Sequence, residues 1–437
     1  MMRSLFSGIS GLRNHQTRMD VIGNNIANVN TVGFKASRVN FQDMLNQTIQ
    51  GASSGQGNLG GTNPIQVGLG MGLASIDTLF TDGSTQPTGK QTDLAISGSG
   101  FFVLSDGMNQ IYTRAGNFDF DNQGNYLVPG SGYKVMGWAG VGGNIDTNQP
   151  VTPIKIPVGS SMAAKPSTSI TYANNLSGDT TTPVGTAVPA AITVYDSKGV
   201  AHKVSGTFTK LAPDAAAIPP IPNNAWSFSP GTKTDTGFDI GPYTAPATSV
   251  SYILTFSNDG SFTGVTPQVM PATNPPTATP FSFSPVGANP VSITPDFASL
   301  TQFGGESTAQ AVDRDGYAAG TLEQTTIDGT GTIIGKFSNG QTQKLAQVCL
   351  ATFNNPAGLT KVGDNMYIKS NNSGEAQVGV SGTGGRGGFN PGSLEMSNVD
   401  LAQEFSNMII TQRGFQANSK IITVTDEMLQ DLTNLKR

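Results

Sequence analysis

The sequence predicts an α+β, multidomain chain in which terminal α-helices form a coiled-coil-like domain and antiparallel β-domains are nested between them. Three observations carry that expectation. Leu5, Leu12, Met19 and Ile26 recur one heptad apart near the N-terminus, and Leu401, Met408, Phe415, Ile422 and Leu429 do the same near the C-terminus. Between these ends lie short apolar and aromatic runs separated by Gly, Asp and Asn turns, the spacing of antiparallel strands. Within that β-rich stretch, a segment dominated by Pro, Ala, Thr and Ser marks an insertion.

The elements follow in order. Residues 1–30 hold an N-terminal helix, continuous from about residue 4 to 28 and so roughly 37 Å long at the α-helical rise. Its second apolar line is weaker, because Ile9 is followed at heptad spacing by Gln16 and Gly23, although Ile22 adds to the stripe. Gly33 suits the turn where the helix has stopped. Residues 31–72 read as an extended linker or arm, since Gly, Ser, Gln and Asn dominate from Gly51 to Gly72. Residues 73–149 and 300–381 read as one core β-domain interrupted by an outer β-domain at 150–299. Leu94-Ala95-Ile96, Phe101 to Leu104 and Ile111-Tyr112-Thr113 are strands of the first, and Ala191 to Tyr195 and Tyr252 to Phe256 of the second. A Gly-rich linker at 382–397 precedes the C-terminal helix at 398–437, where Phe405 and Leu432 widen the apolar stripe.

A helix with one apolar stripe needs a partner. The stripes lie at both extremities, beyond segments that look flexible, so packing between molecules is the expectation here, ahead of packing within one chain. Composition supports a self-associating surface. Charged residues make up 12% of the 437, and the formal net charge is −5. Little charge repulsion opposes contact between copies, and no concentrated basic field is present to bind nucleic acid. No apolar stretch approaches the roughly 20 residues that span a bilayer, and Arg3, Ser4, Ser7, Gly8, Ser10 and Gly11 interrupt any signal-peptide core, so neither membrane insertion nor a cleaved signal is expected.

No constellation of residues points to catalysis, a cofactor or a metal. Asp119 to Gly124 begins like a calcium loop, but Gly130 stands where the bidentate Glu belongs, so a hairpin turn is expected. Ser97-Gly98-Ser99-Gly100 lacks the Gly-Lys-Ser/Thr ending of a phosphate loop. His15 and His202 are the only histidines, one of them on the expected terminal helix, which supports neither a zinc pair nor a triad. Cys349 is the single cysteine and reads as a small hydrophobe in a strand.

Longer motifs carry a resemblance. Met2 to Leu12, Asp20-Val21-Ile22-Gly23-Asn24-Asn25-Ile26-Ala27-Asn28 and Gly33-Phe34-Lys35 resemble the N-terminal signature of bacterial flagellar axial proteins. Gly392 to Leu401, Gln412-Arg413-Gly414-Phe415-Gln416-Ala417-Asn418 and Leu435-Lys436-Arg437 resemble the C-terminal one. The stretches Asp93 to Val103 and Tyr112 to Phe118 look like the domain shared by hook and distal-rod proteins. Val194 to Gly199, Leu300-Thr301-Gln302-Phe303 and Phe337 to Thr342, together with the long insertion, are similar to hook proteins. The arm at 45–72 resembles a stretch of the rigid distal rod.

The resemblance implies a self-assembling helical homopolymer, a flexible tube transmitting torque from rod to filament, with the terminal helices as its inner-tube domain. It also implies contacts with distal-rod, hook-cap and hook-filament junction proteins, passage through the flagellar type III export apparatus with its chaperones, and an extracellular place in the flagellum. A distal-rod or hook-junction protein is the nearest alternative. A secreted β-rich adhesin would account for Trp138, Trp226 and the hydroxyl-rich surface, but it leaves the terminal heptads unexplained.

Overall fold

A computed structural model of the chain describes residues 2–55, 60–157, 159–214, 221–222, 224–231, 251–267, 280–285 and 287–434. Two compact units are present. The first comprises Met1–Val158, Gln324–Gly335 and Thr342–Arg437, and the second Gly159–Glu323 and Lys336–Gln341.

The first unit begins with α1 (Met2–Ala27) and ends with α2 (Leu401–Asn434). Asp400 caps α2, its carboxylate accepting from the backbone N–H groups of Ala402 and Gln403, with Glu404 in the first turn favoured by the helix dipole. The arm expected at 31–72 is instead a β-ribbon. Strands β1 (Ser37–Asp43), β2 (Asn46–Gln50), β3 (Ile65–Gly68) and β4 (Met71–Thr78) form it, β1 pairing with β4 and β2 with β3, all antiparallel. Polar composition hides the pairing of β2 with β3, where every residue is exposed and no buried face imposes an alternating pattern.

The Gly-rich linker expected at 382–397 is likewise corrected. Gly388–Pro391 pairs with β6 (Leu94–Ser97), and Ser393–Glu395 pairs with β5 (Thr85–Pro87). Strands β7 (Phe101–Ser105) and β8 (Gln110–Thr113) lie within a larger antiparallel sheet. Its order is Thr342–Val348, Lys134–Val141, β7, β8, Met366–Ile368, Thr360–Gly363. One core gathers Phe101, Val103, Tyr112, Met136, Trp138, Cys349 and Tyr367. Cys349 is fully buried, with its Sγ 3.2 Å from the Met136 carbonyl. At Asp119 to Gly124 the chain does turn back as a hairpin, Asp121 accepting from the Gln123 and Asn125 N–H groups.

The second unit packs a five-stranded antiparallel sheet, Ala187–Tyr195 through Phe262–Pro267, against a four-stranded sheet. In the latter Ser169–Asn175 lies parallel to Val291–Thr301 and antiparallel to Gln310–Arg314. Tyr172, Phe208, Phe228 and Phe297 fill the space between, with ring centroids 4.8–6.2 Å apart. Gly206 admits this cluster, since a Cβ there would fall 2.2 Å from the Phe228 ring. Residues 300–323, grouped by local pattern with the core domain, cluster here instead, and the boundary at 150 moves to 159. Strand partnership across more than 100 residues decides the boundary, and no local window reports it. Much of the Pro-rich stretches 212–222 and 271–280 lies outside the described residues.

Candidate assembly interface

The first unit places the two terminal helices side by side and antiparallel. Contacts descend along α2 as they ascend α1. Gly8 faces Ile421 and Ile422, Gly11 faces Asn418, and Gly414 faces the His15 ring. Arg18 reaches Asn407 at 3.5 Å and Asn25 reaches Glu404 at 3.3 Å. On α1 these positions, with buried Ile22, run 8, 11, 15, 18, 22, 25, the three-four spacing of a heptad seam. Apart from Ile22, and from Ile421 and Ile422 across from Gly8, its residues are small or polar. A Cβ on Gly11 would lie 2.8 Å from the Asn418 amide, so glycine sets how closely the helices approach. The buried residues of α2 are Thr411 and Thr425, whose hydroxyls donate to the carbonyls of Asn407 and Ile421 one turn back.

This differs from the expectation that the helices pack between molecules ahead of packing within one chain. The chain supplies its own partner helix, through Ile22 and Ile422 of the stripes together with small and polar residues that no hydrophobicity pattern marks. The columns flank that seam. Leu5, Leu12, Met19, Ile26, Met408, Ile422 and Leu429 are half-buried, and Ile22 is buried. Ile9, Leu401, Phe405, Phe415 and Leu432 are exposed, as are Phe6, Ile409, Ile410, Val424 and Met428, with Ile410 at 61%. A long apolar surface thus stays open on a pair of helices already joined to each other.

The ribbon lies against α1. Asn14 donates to the Met71 carbonyl at 2.7 Å, the Met71 N–H reaches Ser10 Oγ at 3.4 Å, and His15 meets Phe41 edge-on at 6.0 Å. Burial, and then the neighbouring Arg18 charge, push the His15 ring below its ordinary pKa and keep it neutral in this seam. Farther out, β2 and β3 expose every residue, including Ile49 and Ile65.

The segments next to the helices are tied to the β-domain at a buried node, not left loose as the flexible-linker reading implied. Lys35 Nζ lies 2.6 Å from Glu395 Oε1 with both side chains fully buried, and it also donates to the Thr81 carbonyl at 2.6 Å. The Gly83 N–H donates to the same carboxylate oxygen at 3.0 Å. Arg114, 2% exposed, approaches Glu395 Oε2 at 3.4 Å as a charge contact without hydrogen-bond geometry, and Asp82 at 3.2 Å. Burial, then the Arg114 charge, pull the Lys35 pKa down against the pull of Glu395.

Signature residues surround this node. The Asn25 side chain pairs with both backbone groups of Ser37. Asn398 accepts from the Ala36 N–H and donates to the Leu79 carbonyl. Gly33 takes φ +68°, donates to the Glu395 carbonyl, and leaves no room for a Cβ beside Ala115. Phe34 is buried under Lys361, whose ammonium lies 5.3 Å from the ring centroid. Asn28 donates to the Asn24 carbonyl and side chain, closing the helix end. Gln412 is exposed. Arg413 bonds Gln416, and Asn418 donates to the Gly414 carbonyl. Leu435, Lys436 and Arg437 lie outside the described residues.

Sequence reasoning missed Glu395, Arg114 and Asp82 as partners of Lys35, and Gly8, Gly11, Thr411 and Thr425 as seam residues. Gly8 and Gly11, three residues apart within α1, were the available signal for the seam. For the ion node no local signal exists. Among the described residues no helix is long and apolar enough to cross a membrane.

Comparison with known proteins gives four family models along the chain. The flagellar basal-body rod protein model covers residues 5–35, and the flagellar hook FlgE/F/G D1 domain model covers 95–173. The FlaE D2 domain model covers 167–317, inside the second unit, and the rod FlgEFG C-terminal model covers 390–435. The chain is 42% identical to the flagellar hook protein FlgE of Treponema pallidum and 41% identical to that of Borreliella burgdorferi, in both cases over all of each chain. It is 34% identical to the flagellar basal-body rod protein FlgG of Bacillus subtilis, again over all of both.

Proposed function

The chain belongs to the flagellar hook and basal-body rod protein family, and from that premise we propose that its paired terminal helices supply the faces through which subunits pack into the hook tube. Within the family it is a structural subunit of the flagellar hook. The higher identity to hook proteins than to the rod protein, and a second unit overlying the FlaE D2 model, favour hook over rod.

The observation that carries the assembly reading is the open apolar surface of Phe405, Ile409, Ile410 and Phe415 on α2 and of Phe6 and Ile9 on α1. The seam between the helices is already filled, so these side chains leave water only against another subunit. Each is 38–61% exposed, so burying the remainder contributes about 1 kcal/mol, roughly half of what a full burial gives. A helical tube needs heterologous contacts, one face of a copy meeting a different face of the next, and two unlike helices provide two such faces. The ends of the tube would meet distal-rod, hook-cap and hook-filament junction proteins. Delivery through the type III export apparatus with its chaperones, without a cleaved signal, completes the reading. Outer contacts through the hydroxyl- and amide-rich second unit would re-form through water as the tube bends.

Substituting Phe405 or Phe415 with Asp tests this. Electron microscopy of the purified variants should show no tubes while near-ultraviolet dichroism of the β-domains stays unchanged, and normal tubes from either variant would refute the helix-face reading. Deleting residues 159–323 is expected to leave a tube that forms but bends differently; loss of all polymer would contradict the outer-contact reading.

A further inference from the structure

A single asparagine in the chain is followed by glycine, and it is Asn339. That pair is chemically labile. Glycine has no Cβ to shield its nitrogen, so once deprotonated it attacks the carbon of the preceding side-chain amide. Here the fold engages both reacting groups. Asn339 and Gly340 lie in the turn between the strands Thr332–Phe337 and Thr342–Val348, in the segment Lys336–Gln341 that clusters with the second unit. The Gly340 N–H donates to the Phe337 carbonyl, which holds its proton. The Asn339 amide is fixed at both ends, Nδ2 donating to the Ala318 carbonyl at 2.8 Å and Oδ1 accepting from the Gln341 N–H at 3.0 Å. Gly320 makes room for it, since a Cβ there would fall 2.7 Å from Asn339 Cγ. Next to it, the Ser338 N–H donates to the Thr321 carbonyl, and the Thr321 N–H to Ser338 Oγ. These bonds lie at the surface. Ser338 and Gly340 are exposed and Asn339 is half-buried, so the turn opens more readily than the strands below it.

We propose that Asn339 is a deamidation site gated by this turn: it is spared while its amide holds the Ala318 carbonyl, and each opening exposes it to conversion. Base removes the Gly340 amide proton, the nitrogen bonds to Asn339 Cγ, and the bond from Cγ to Nδ2 breaks, releasing ammonia and leaving a succinimide ring. Water then opens the ring, at Cγ to give aspartate or at the backbone carbonyl carbon to give isoaspartate. Either product lacks the Nδ2 donor. Aspartate sets a carboxylate against the Ala318 carbonyl, acceptor facing acceptor, and isoaspartate lengthens the backbone, so the turn does not reseat. The modification therefore records openings of the turn and loosens residues 318–321 along with it.

Mass spectrometry of the full-length chain, incubated at mildly alkaline pH and then digested with trypsin, reads the conversion in the peptide 337–344 that Lys336 and Lys344 delimit. In urea, Asn339 should convert at least tenfold faster than in the folded chain and ahead of every other asparagine, and Gly340→Ala should abolish that fast phase. Gly320→Ala, whose methyl displaces the Asn339 amide, should raise the folded-chain rate at least threefold. Hydrogen exchange of Asn339→Asp should show residues 318–321 exchanging at least threefold faster than in the parent. Equal rates in the folded and urea-treated chain overturn the gate, as does an unchanged rate in folded Gly320→Ala; unchanged exchange in Asn339→Asp overturns the loosening. If Gly320→Ala does not fold, the parent in urea below its unfolding transition decides. A conversion rate that climbs before global unfolding supports the gate, and one that stays flat until then refutes it.

Discussion

Replacing Gly11 with Ala sets two effects of known size against each other. Alanine raises helix propensity by about 1 kcal/mol over glycine in a helix interior. At Gly23, where nothing lies within 4 Å of the added Cβ, that gain should appear undiminished. At Gly11 the same methyl falls 2.8 Å from Asn418, which is held to the Gly414 carbonyl at 3.0 Å. Overpacking of this kind costs about 1–3 kcal/mol. Gly11→Ala should therefore be less stable than Gly23→Ala by about 1–3 kcal/mol. Adding Asn418→Ser, which shortens the opposing side chain, should recover part of the loss. Gly8, with contacts at 3.4 Å and beyond, should behave like Gly23. The thermal midpoint of tube disassembly, with amide exchange in α1 on the same samples, reads the difference. Equal midpoints for Gly11→Ala and Gly23→Ala would refute the small-residue seam.

Two further outcomes follow from titratable groups. Burial alone would raise the Asp315 pKa, but hydrogen bonds from the Thr168 hydroxyl and the Ser169 and Thr168 N–H groups outweigh it and hold the carboxyl at about 2. A depressed carboxylate stabilises the folded state above its unfolded pKa, so this contribution is full above about pH 4 and fades as pH falls toward 2. With a quarter of the side chain exposed it amounts to about 1–2 kcal/mol, and Asp315→Asn should flatten the acid limb of the second unit's melting curve over that window. An unaltered acid limb would remove Asp315 from the account. Burial pushes the Cys349 thiol up to about 12, so a thiol reagent at pH 8 should label it only as fast as the β-domain unfolds. Rapid labelling of the native chain would contradict the burial.

What the sequence made legible, and what it hid, divides along a physical line. Short strands such as β6, β7 and β8, with strong β formers between Gly and Asp turns, were readable because their signal is local. The helices were readable from heptad columns of large apolar residues. Those same columns told only part of the pairing, because most of their residues run half-buried beside a seam in which Gly8, Gly11, Thr411 and Thr425 close by fit and Ile22 and Ile422 supply the apolar contacts. The ribbon from β1 to β4 and the strands at 388–395 looked like linkers because they are polar and glycine-rich. Their order comes from backbone pairing and from Lys35, Glu395 and Asn398, which meet only in three dimensions. The reassignment of 300–323 has the same origin.

Cysteines at positions 11 and 418, in a chain with Cys349 replaced by Ala, give the most direct test of the helix pair. A Cβ at position 11 is 2.8 Å from Asn418 Cγ, which puts the two Cβ atoms within about 4.3 Å, inside the range a disulfide spans. Oxidation of assembled tubes, followed by denaturing electrophoresis without reductant, should give a single intrachain species that runs as a monomer. A ladder of covalently joined subunits would show that α1 finds its seam on a neighbouring molecule, and would contradict the account.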